Sequence, residues 1–394
     1  MESVFYIVLA NFGFWFNFSI PIAIALFLAI SHKEYIWKEF GIQVGVTFLY
    51  VVSIYLLMFS TTTDLIDTEV YNGKAVKFTK WEKWKERQTY TETYSCGTSK
   101  NPRTCTRTKT RIVSHPEYWE LLTSNGEVIQ VKRRDYLRAA SNFGTKEVDV
   151  YRSNQVSHGD GDKWVSYPNI VIPTAVEHNY ENPVRAVKSN VLHTKVPEAR
   201  IKQLIDWGRL REYPRLYVGE YGSTQLNRFI DTTAGVKAKY LDDLNKMSVS
   251  FATKQANPII YVTKEDRDFK DALEHYWSKG KKNDITLILG VDKDSNILWS
   301  DVITYTDNTD FIIDIQNKFK GKNINTDKSI ILKTYNDLVM TSYKRKPMKD
   351  FDYLKDSITL EWYWQLLIFL GNLGVSGFVM YKMMTNYSRK RGRY

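Results

Sequence analysis

The sequence predicts a membrane-anchored α+β protein, and three patterns predict it. Three apolar segments, Val4–Ile30, Gly41–Phe59 and Trp362–Tyr381, each approach the twenty or so residues that cross a hydrocarbon core of about 30 Å. A polar body, Thr61–Ser357, separates the second from the third. Its first half alternates in the β manner, and its second half exchanges strand and helix periods. The expected order is two transmembrane helices within 1–60 (4–30 and 41–59), a β-rich module over 61–195 and a helical linker over 196–228. An α/β module over 229–345, a linker over 346–361, a third transmembrane helix over 362–381 and a basic tail over 382–394 follow.

Val4–Ile30 is long for a span, about 40 Å at 1.5 Å per residue. Pro21 can kink it, or the Asn11–Asn17 stretch with Phe14, Trp15 and Phe16 can rest at the outer interface; Asn11 and Asn17 can bond a neighbouring helix. It lacks the basic start and small-residue cleavage site of a secretory signal. Lys33 and Lys38 lie between the first two spans, and Lys382, Arg389, Lys390, Arg391 and Arg393 follow the last. Cations mark the cytoplasmic side, so the loop and tail are expected inside. The N-terminus and the body then lie outside, periplasmic if the membrane is a bacterial inner membrane. No Asp, Glu, Lys or Arg falls within the spans, which argues against a proton relay or charged pathway. Gly371, Gly374 and Gly377 suit close helix packing.

Cys96 and Cys105 are the two cysteines. Thr and Tyr alternate before them and Thr recurs after them, around Lys100-Asn101-Pro102-Arg103. A hairpin centred between Lys100 and Asn101 sets them opposite each other. A disulfide there would contribute about 2–3 kcal/mol and requires an oxidising compartment, which again places the body outside.

The rest of the β half carries Tyr118–Leu122 and Val128–Val131 around Ser124-Asn125-Gly126-Glu127, a hairpin expected to use a type I′ turn. Trp81, Trp84 and Trp119 suit a sheet face, and His158-Gly159-Asp160-Gly161-Asp162 suits a solvated turn better than a calcium loop. Val196-Pro197-Glu198 opens a helix with Ile201, Leu204 and Ile205 on one face and Gly208 as its stop.

In the second half, Tyr240, Leu244, Met247 and Phe251 predict a helix and Pro258–Thr263 a strand. Phe269, Ala272, Leu273 and Tyr276 form the next helix, ended by Gly280. Ile285–Val291 and Ile297–Thr304 are strands joined through Asp292–Asn296. Phe311, Ile312, Ile315 and Phe319, then Ile331, Tyr335, Leu338 and Val339, mark two more helices. Strand, helix, strand implies a parallel crossover, and the last two strands a hairpin.

The net charge is +11. Its excess is spread over the body, with short runs at Lys132-Arg133-Arg134 and Lys344-Arg345-Lys346 that suit solvated surface; nucleic acid is not the expected partner. The tail suits anionic lipid headgroups. No P-loop, nucleophile elbow or paired metal histidine occurs.

Ile230-Asp231-Thr-Thr-Ala234-Gly235-Val236, Asn257–Thr263, Phe269–Trp277 and Ser278–Leu289 resemble the TPM domain of thylakoid-lumen and bacterial envelope proteins. The resemblance covers 229–345. It implies a membrane-tethered α/β sandwich, with weak acid phosphatase activity or calcium binding in some members. The family's early Asp falls on Asp231, and its Asp-Asn-Gly falls on Asn283, Asp284 and Ile285, so the acid is displaced and the glycine lost. Its later Gly-x-Gly has no counterpart in Ile303–Asn308. The β half, through Leu122–Ile129 and Glu177–Pro183, is similar to uncharacterised membrane proteins of tailed phages.

The expectation is a non-catalytic envelope protein, bacterial or phage-borne. Its outward body binds or organises a protein partner at the bilayer, with no catalytic residue and no cofactor, and an oligomer is compatible with it. The alternative is a metal-dependent phosphatase-like hydrolase with Asp231 and Asp284 as catalytic acids and Ca2+ or Mg2+ at Asp231, Asp284 and Asp307. A pore or lysis factor ranks below both.

Overall fold

Polar groups inside an otherwise apolar helix bundle show how the first part of the chain is assembled. A computed structural model of the protein describes residues 2–31, 37–98, 101–157, 160–187 and 196–391. Lys33, Lys100, His158, Gly159 and Arg393 lie outside the described residues, as do the side chains of Pro21, Lys38, Arg389, Lys390 and Arg391. The chain divides into two compact units.

The first unit comprises Met1–Asp67, Asn179–Lys195 and Pro347–Tyr394. It holds α1 (Glu2–Ala10), α2 (Phe12–Ser31), α3 (Trp37–Thr62), α5 (Pro183–Ala186), a 3-10 helix over Met348–Ser357 and α11 (Trp362–Arg391). Phe40–Thr62 and Trp362–Lys382 are long and apolar enough to cross a membrane, and Phe12–Ile24 is a shorter apolar stretch. The expected span Val4–Ile30 is not one helix. It breaks at Asn11, whose Oδ1 accepts from the Gly13 amide at 2.9 Å while its Nδ2 donates to the Ile358 carbonyl at 3.5 Å.

Amides hold α2, α3 and α11 together. Asn17 Nδ2 donates to the Tyr55 hydroxyl at 2.9 Å, Asn372 Nδ2 to the Asn17 carbonyl at 2.5 Å, and Gln43 Nε2 to Ser376 Oγ at 2.8 Å. All but Tyr55 are polar residues buried among apolar ones, where a hydrogen bond fixes rotation and register as well as association. Outside the helices, buried Asp67 accepts from Tyr180, Asn182 and Arg185 at 3.0–3.2 Å.

The second unit comprises Thr68–His178 and Val196–Lys346. Its first sheet is built on a long strand, β1 (Ile66–Trp81), with β4 (Tyr118–Thr123), β5 (Val128–Gln130), β6 (Lys146–Val148) and β7 (Lys163–Ser166) in the order β5-β4-β1-β7-β6. Strand β8 (Pro173–Glu181) also pairs with β1. The expected β-only text contains a helix, α4 (Arg133–Phe143), opened by the Lys132–Arg134 run. Tyr136 and Ala139 bury against Phe78 and Leu121 of the sheet, and the cations stay exposed. The β4–β5 turn is not type I′. Only Gly126 takes positive φ, 84°, and the Thr123 amide bonds to the Glu127 carbonyl, the pattern of a turn closed by a bulge.

Strands β2 (Trp84–Ser95) and β3 (Thr104–His115) form a separate two-stranded ribbon. Its tip carries the Cys96–Cys105 disulfide with Cα atoms 5.7 Å apart. The register is two residues from the expected one: Cys105 faces Tyr94 in place of Cys96, and the Cys96 amide donates to the Arg103 carbonyl. The bridge is therefore diagonal. Gly97 sets this register, because a Cβ there would lie 2.2 Å from the Asn101 carbonyl oxygen.

The expected linker over 196–228 is part of the core. It contributes α6 (Glu198–Asp206), β9 (Leu216–Val218) and β10 (Thr224–Leu226). Leu204 of α6 is buried, whereas Ile205 is 40% exposed, off the expected apolar face. At the β9–β10 turn Tyr221 takes positive φ, 54°, and its ring packs near Phe78 and Phe143 of the β half.

The second sheet has the order β11-β12-β13-β14: β11 (Phe229–Asp231), β12 (Asn257–Thr263), β13 (Asp284–Val291) and β14 (Ile297–Thr304). Strands β12 and β13 are parallel and β14 is antiparallel, as the periods predict; β11, which they do not predict, adds a further parallel strand beside β12. Helices α7 (Leu241–Phe251), α9 (Thr309–Lys318) and α10 (Lys328–Ser342) bury Leu244, Phe311, Ile315 and Tyr335 against Ile260, Val262 and Leu287. On the other face α6 and α8 (Phe269–Tyr276) bury Leu204, Phe269 and Leu273 against Ile259, Tyr261 and Ile288. Alternate residues of β12 thus serve opposite layers. Val70 and Ala175 of the β half belong to this second layer, so the β-rich and α/β halves share one core.

Candidate functional site

Asp231 ends β11 and turns its carboxylate back on the chain. Oδ1 accepts from the Thr233 amide at 2.8 Å and the Thr233 hydroxyl at 2.6 Å, and Oδ2 from the Val236 amide at 3.3 Å. Asn325 fastens the same loop, accepting from the Lys237 amide at 2.7 Å. Asp231 also lines a groove of about 930 Å³ with Arg211, Tyr213, Arg215 and Tyr276.

Asp284 begins β13 and is fully buried. It accepts from the Tyr213 hydroxyl at 2.9 Å, Asn257 Nδ2 at 2.8 Å and the Lys281 amide at 2.7 Å. Burial pushes its carboxyl up to about 6, against the pull of those three donors. Asp307 pairs with Lys346 at 3.3 Å.

The strand register separates the two candidate catalytic acids. Asp231 pairs with Val262, and Val262 with Leu289, five positions beyond Asp284. At 3.3 Å per residue the acids stand about 16 Å apart along the strands, at opposite ends of the sheet. The convergence that two-acid or metal-assisted hydrolysis requires is therefore not formed by Asp231 and Asp284. Among the described residues, no group of three or more His, Cys, Asp or Glu side chains is placed to hold a metal ion.

Two polar clusters escaped the sequence reading. Arg228 is 1% exposed and its guanidinium meets neutral acceptors: Asn245 at 2.9 Å, Asn257 and Asn72. Desolvation lowers its pKa to about 10, so it stays a cation at neutral pH. Glu69, fully buried, is paired with Lys282 at 2.7 Å and lies 3.5 Å from His178, whose ring stacks on Tyr71 at 4.8 Å. No motif announces either, because each draws its members from elements and loops far apart in sequence.

The β2–β3 ribbon presents two chemically distinct faces. Alternation puts Tyr90, Glu92 and Tyr94 with Arg103, Arg107, Lys109 and Arg111 on one. Arg107 and Lys109 share Glu92 at 2.8 and 2.6 Å, and Arg107 and Arg111 lie over the Tyr94 and Tyr90 rings. The other face pairs hydroxyls: Thr89 with Thr110, Thr91 with Thr108, Thr93 with Thr106, and Ser95 with Thr104, all exposed. At the base, Trp84 stacks on His115 at 4.3 Å and lies under Arg152 at 4.4 Å. Trp81 donates to Glu120 at 2.8 Å, and Trp119 packs against the β-sheet core, the expected sheet-face roles. Asp160 and Asp162 accept from the Lys85 and Val150 amides, at 3.0 and 2.9 Å.

Compared with protein-family models, with curated proteins and with solved structures, the chain has no match.

Proposed function

We infer that this chain is a non-catalytic membrane-anchored envelope protein whose body binds or organises a protein partner. Two helices of spanning length and a third apolar segment, α2, support three crossings. The cations that follow Tyr381 support a cytoplasmic tail, with the body and N-terminus on the other side. The observation that carries the reading is the Cys96–Cys105 pair in an exposed ribbon. Disulfides persist outside the reducing cytosol, and charge and redox chemistry then select the same side. A bacterial inner membrane and a TPM-type α/β half, in a bacterial or phage envelope setting, complete the reading. The hydrolase alternative draws no support from acids at opposite ends of a sheet.

Topology mapping tests it. An impermeant maleimide should label Val218→Cys, whose parent side chain is exposed, in intact spheroplasts, while a C-terminal tag stays protected from added protease. Labelling only after lysis would overturn the orientation. Photo-cross-linking from the body in native membranes should then capture a protein.

A further inference from the structure

We propose that the outer edge of β3 is a docking edge for an extended acidic peptide segment of a protein partner, which adds to the ribbon as a third strand. This rests on the binding-body reading above and names the chemistry of the partner.

The first argument is the backbone. The Cys96 amide bonds to the Arg103 carbonyl across the ribbon, so by antiparallel alternation the odd-numbered residues of β3 point their amides at β2. Thr104, Thr106, Thr108, Thr110, Ile112 and Ser114 then point theirs away. On β2 the outward residues near the base are occupied: the Arg87 amide donates to the Asn154 carbonyl, and the Lys85 carbonyl accepts from the Val156 amide. Among the described residues, no other segment forms such bonds with the outer edge of β3. That leaves an open ladder about 11 residues long on a ribbon of only two strands, one fewer than a sheet ordinarily needs to stand alone.

The second argument is charge. Trp84–His115 contains seven Lys or Arg and two Glu. Arg103, Arg107, Lys109 and Arg111 are on β3 or its entry, share one face and come at every second residue except at Cys105. An added strand with Asp or Glu at alternate positions would set a carboxylate beside each cation, where ionic hydrogen bonds add to the backbone ladder. The same excess disfavours a second copy of this ribbon, since cations beside cations repel and edge lysines and arginines deter self-pairing. Single-stranded nucleic acid fits less well: it requires bare aromatic faces for stacking, and Arg107 and Arg111 already cover Tyr94 and Tyr90.

The full chain in detergent micelles is titrated against a fluorescein-labelled peptide of about ten residues alternating Glu and Val, a length that matches the open edge, and read by anisotropy. A second peptide of the same charge carries proline in place of every second valine and cannot pair as a strand. The first should bind and the second should bind at least about tenfold more weakly, with added salt weakening the first. Thr108→Pro removes an outward amide and leaves the β2–β3 ladder intact. That variant, and Arg107→Ser/Lys109→Ser/Arg111→Ser, should each lose about tenfold with an unchanged melting curve. Equal binding of both peptides, no binding of either, or tighter binding of oligodeoxythymidine would overturn the proposal. So would self-association of the full chain that Thr108→Pro abolishes. A chain that cross-links a membrane partner yet ignores these peptides would retire the docking edge alone; failure of both would retire the binding-body reading with it.

Discussion

Arg228 and Asp284 are joined through a single amide. Asn257 accepts from Arg228 Nη1 at its Oδ1 and donates from Nδ2 to Asp284 Oδ1 at 2.8 Å. Both side chains are buried. Asn257→Leu keeps the volume and strips both links, leaving Arg228 with Asn245 and Asn72 and Asp284 with Tyr213 and the Lys281 amide, each one partner short. The expected loss is about 2–4 kcal/mol, read as a shift in denaturant midpoint of the full chain in detergent. A loss under about 1 kcal/mol would show that the bridge is dispensable.

Asp284 makes stability depend on pH in an unusual sense for an acid. Its folded pKa, about 6, lies above its ordinary 3.8 because burial disfavours the charge. The folded chain therefore holds a proton that the unfolded chain releases, and stability falls as pH rises from about 4 through 6. Asp284→Asn cannot titrate. The stability of wild type minus that of the variant should drop by up to about 3 kcal/mol between pH 4 and 7; parallel melting profiles would refute this.

Gly290 lies opposite Trp299 on β14, and a Cβ there would come within 2.0 Å of the indole Nε1. That indole is held by its bond to the Glu265 carbonyl at 3.1 Å. Gly290→Ala should cost about 1–3 kcal/mol by overpacking. Gly374→Ala meets nothing within 4 Å and should stay within about 0.5 kcal/mol. Thermal melts of the pair decide it.

The two acids of the hydrolase alternative are each bound into their own surroundings, so millimolar Ca2+ or Mg2+ should leave the melting temperature unchanged. Asp231→Asn should loosen the β11–α7 loop by about 1–2 kcal/mol without changing any metal response. A metal-dependent rise in melting temperature that disappears in Asp231→Asn would restore the catalytic reading.

Reducing the Cys96–Cys105 bond should act locally. It closes a loop with a sequence separation of 9, worth about 2–3 kcal/mol to the ribbon. Hydrogen exchange should quicken between Tyr90 and Lys109 while the β11–β14 sheet stays protected. Equal acceleration in both would mean that the ribbon folds with the core.

Periodicity carried most of the α/β half because each helix there packs a single face on the sheet and the central strands are covered on both. β12 and β13 are buried along their whole length, so they read as apolar runs, and α7 to α10 carry one apolar stripe each. Helix α4 was readable too, from Tyr136, Ala139 and Phe143, but the preceding cations drew the reading toward surface loop. The separation of Asp231 from Asp284 was not legible, since a linear text does not say which end of a strand an acid occupies. Arg228 with Asn72, Asn245 and Asn257 was invisible for a related reason: four polar residues of ordinary type become a cluster only once β1, α7 and β12 are packed.

The body is an insertion, and its two stretches begin and end in the helical unit. While α2, α3 and α11 stay packed, an unfolded body is still a set of closed loops with their ends pinned. Closing loops of roughly 110 and 150 residues removes conformational freedom that grows only with the logarithm of length, in the manner of a long-range covalent staple. A detached body would lose that restraint, so the helical unit would serve this protein as part of its folding machinery.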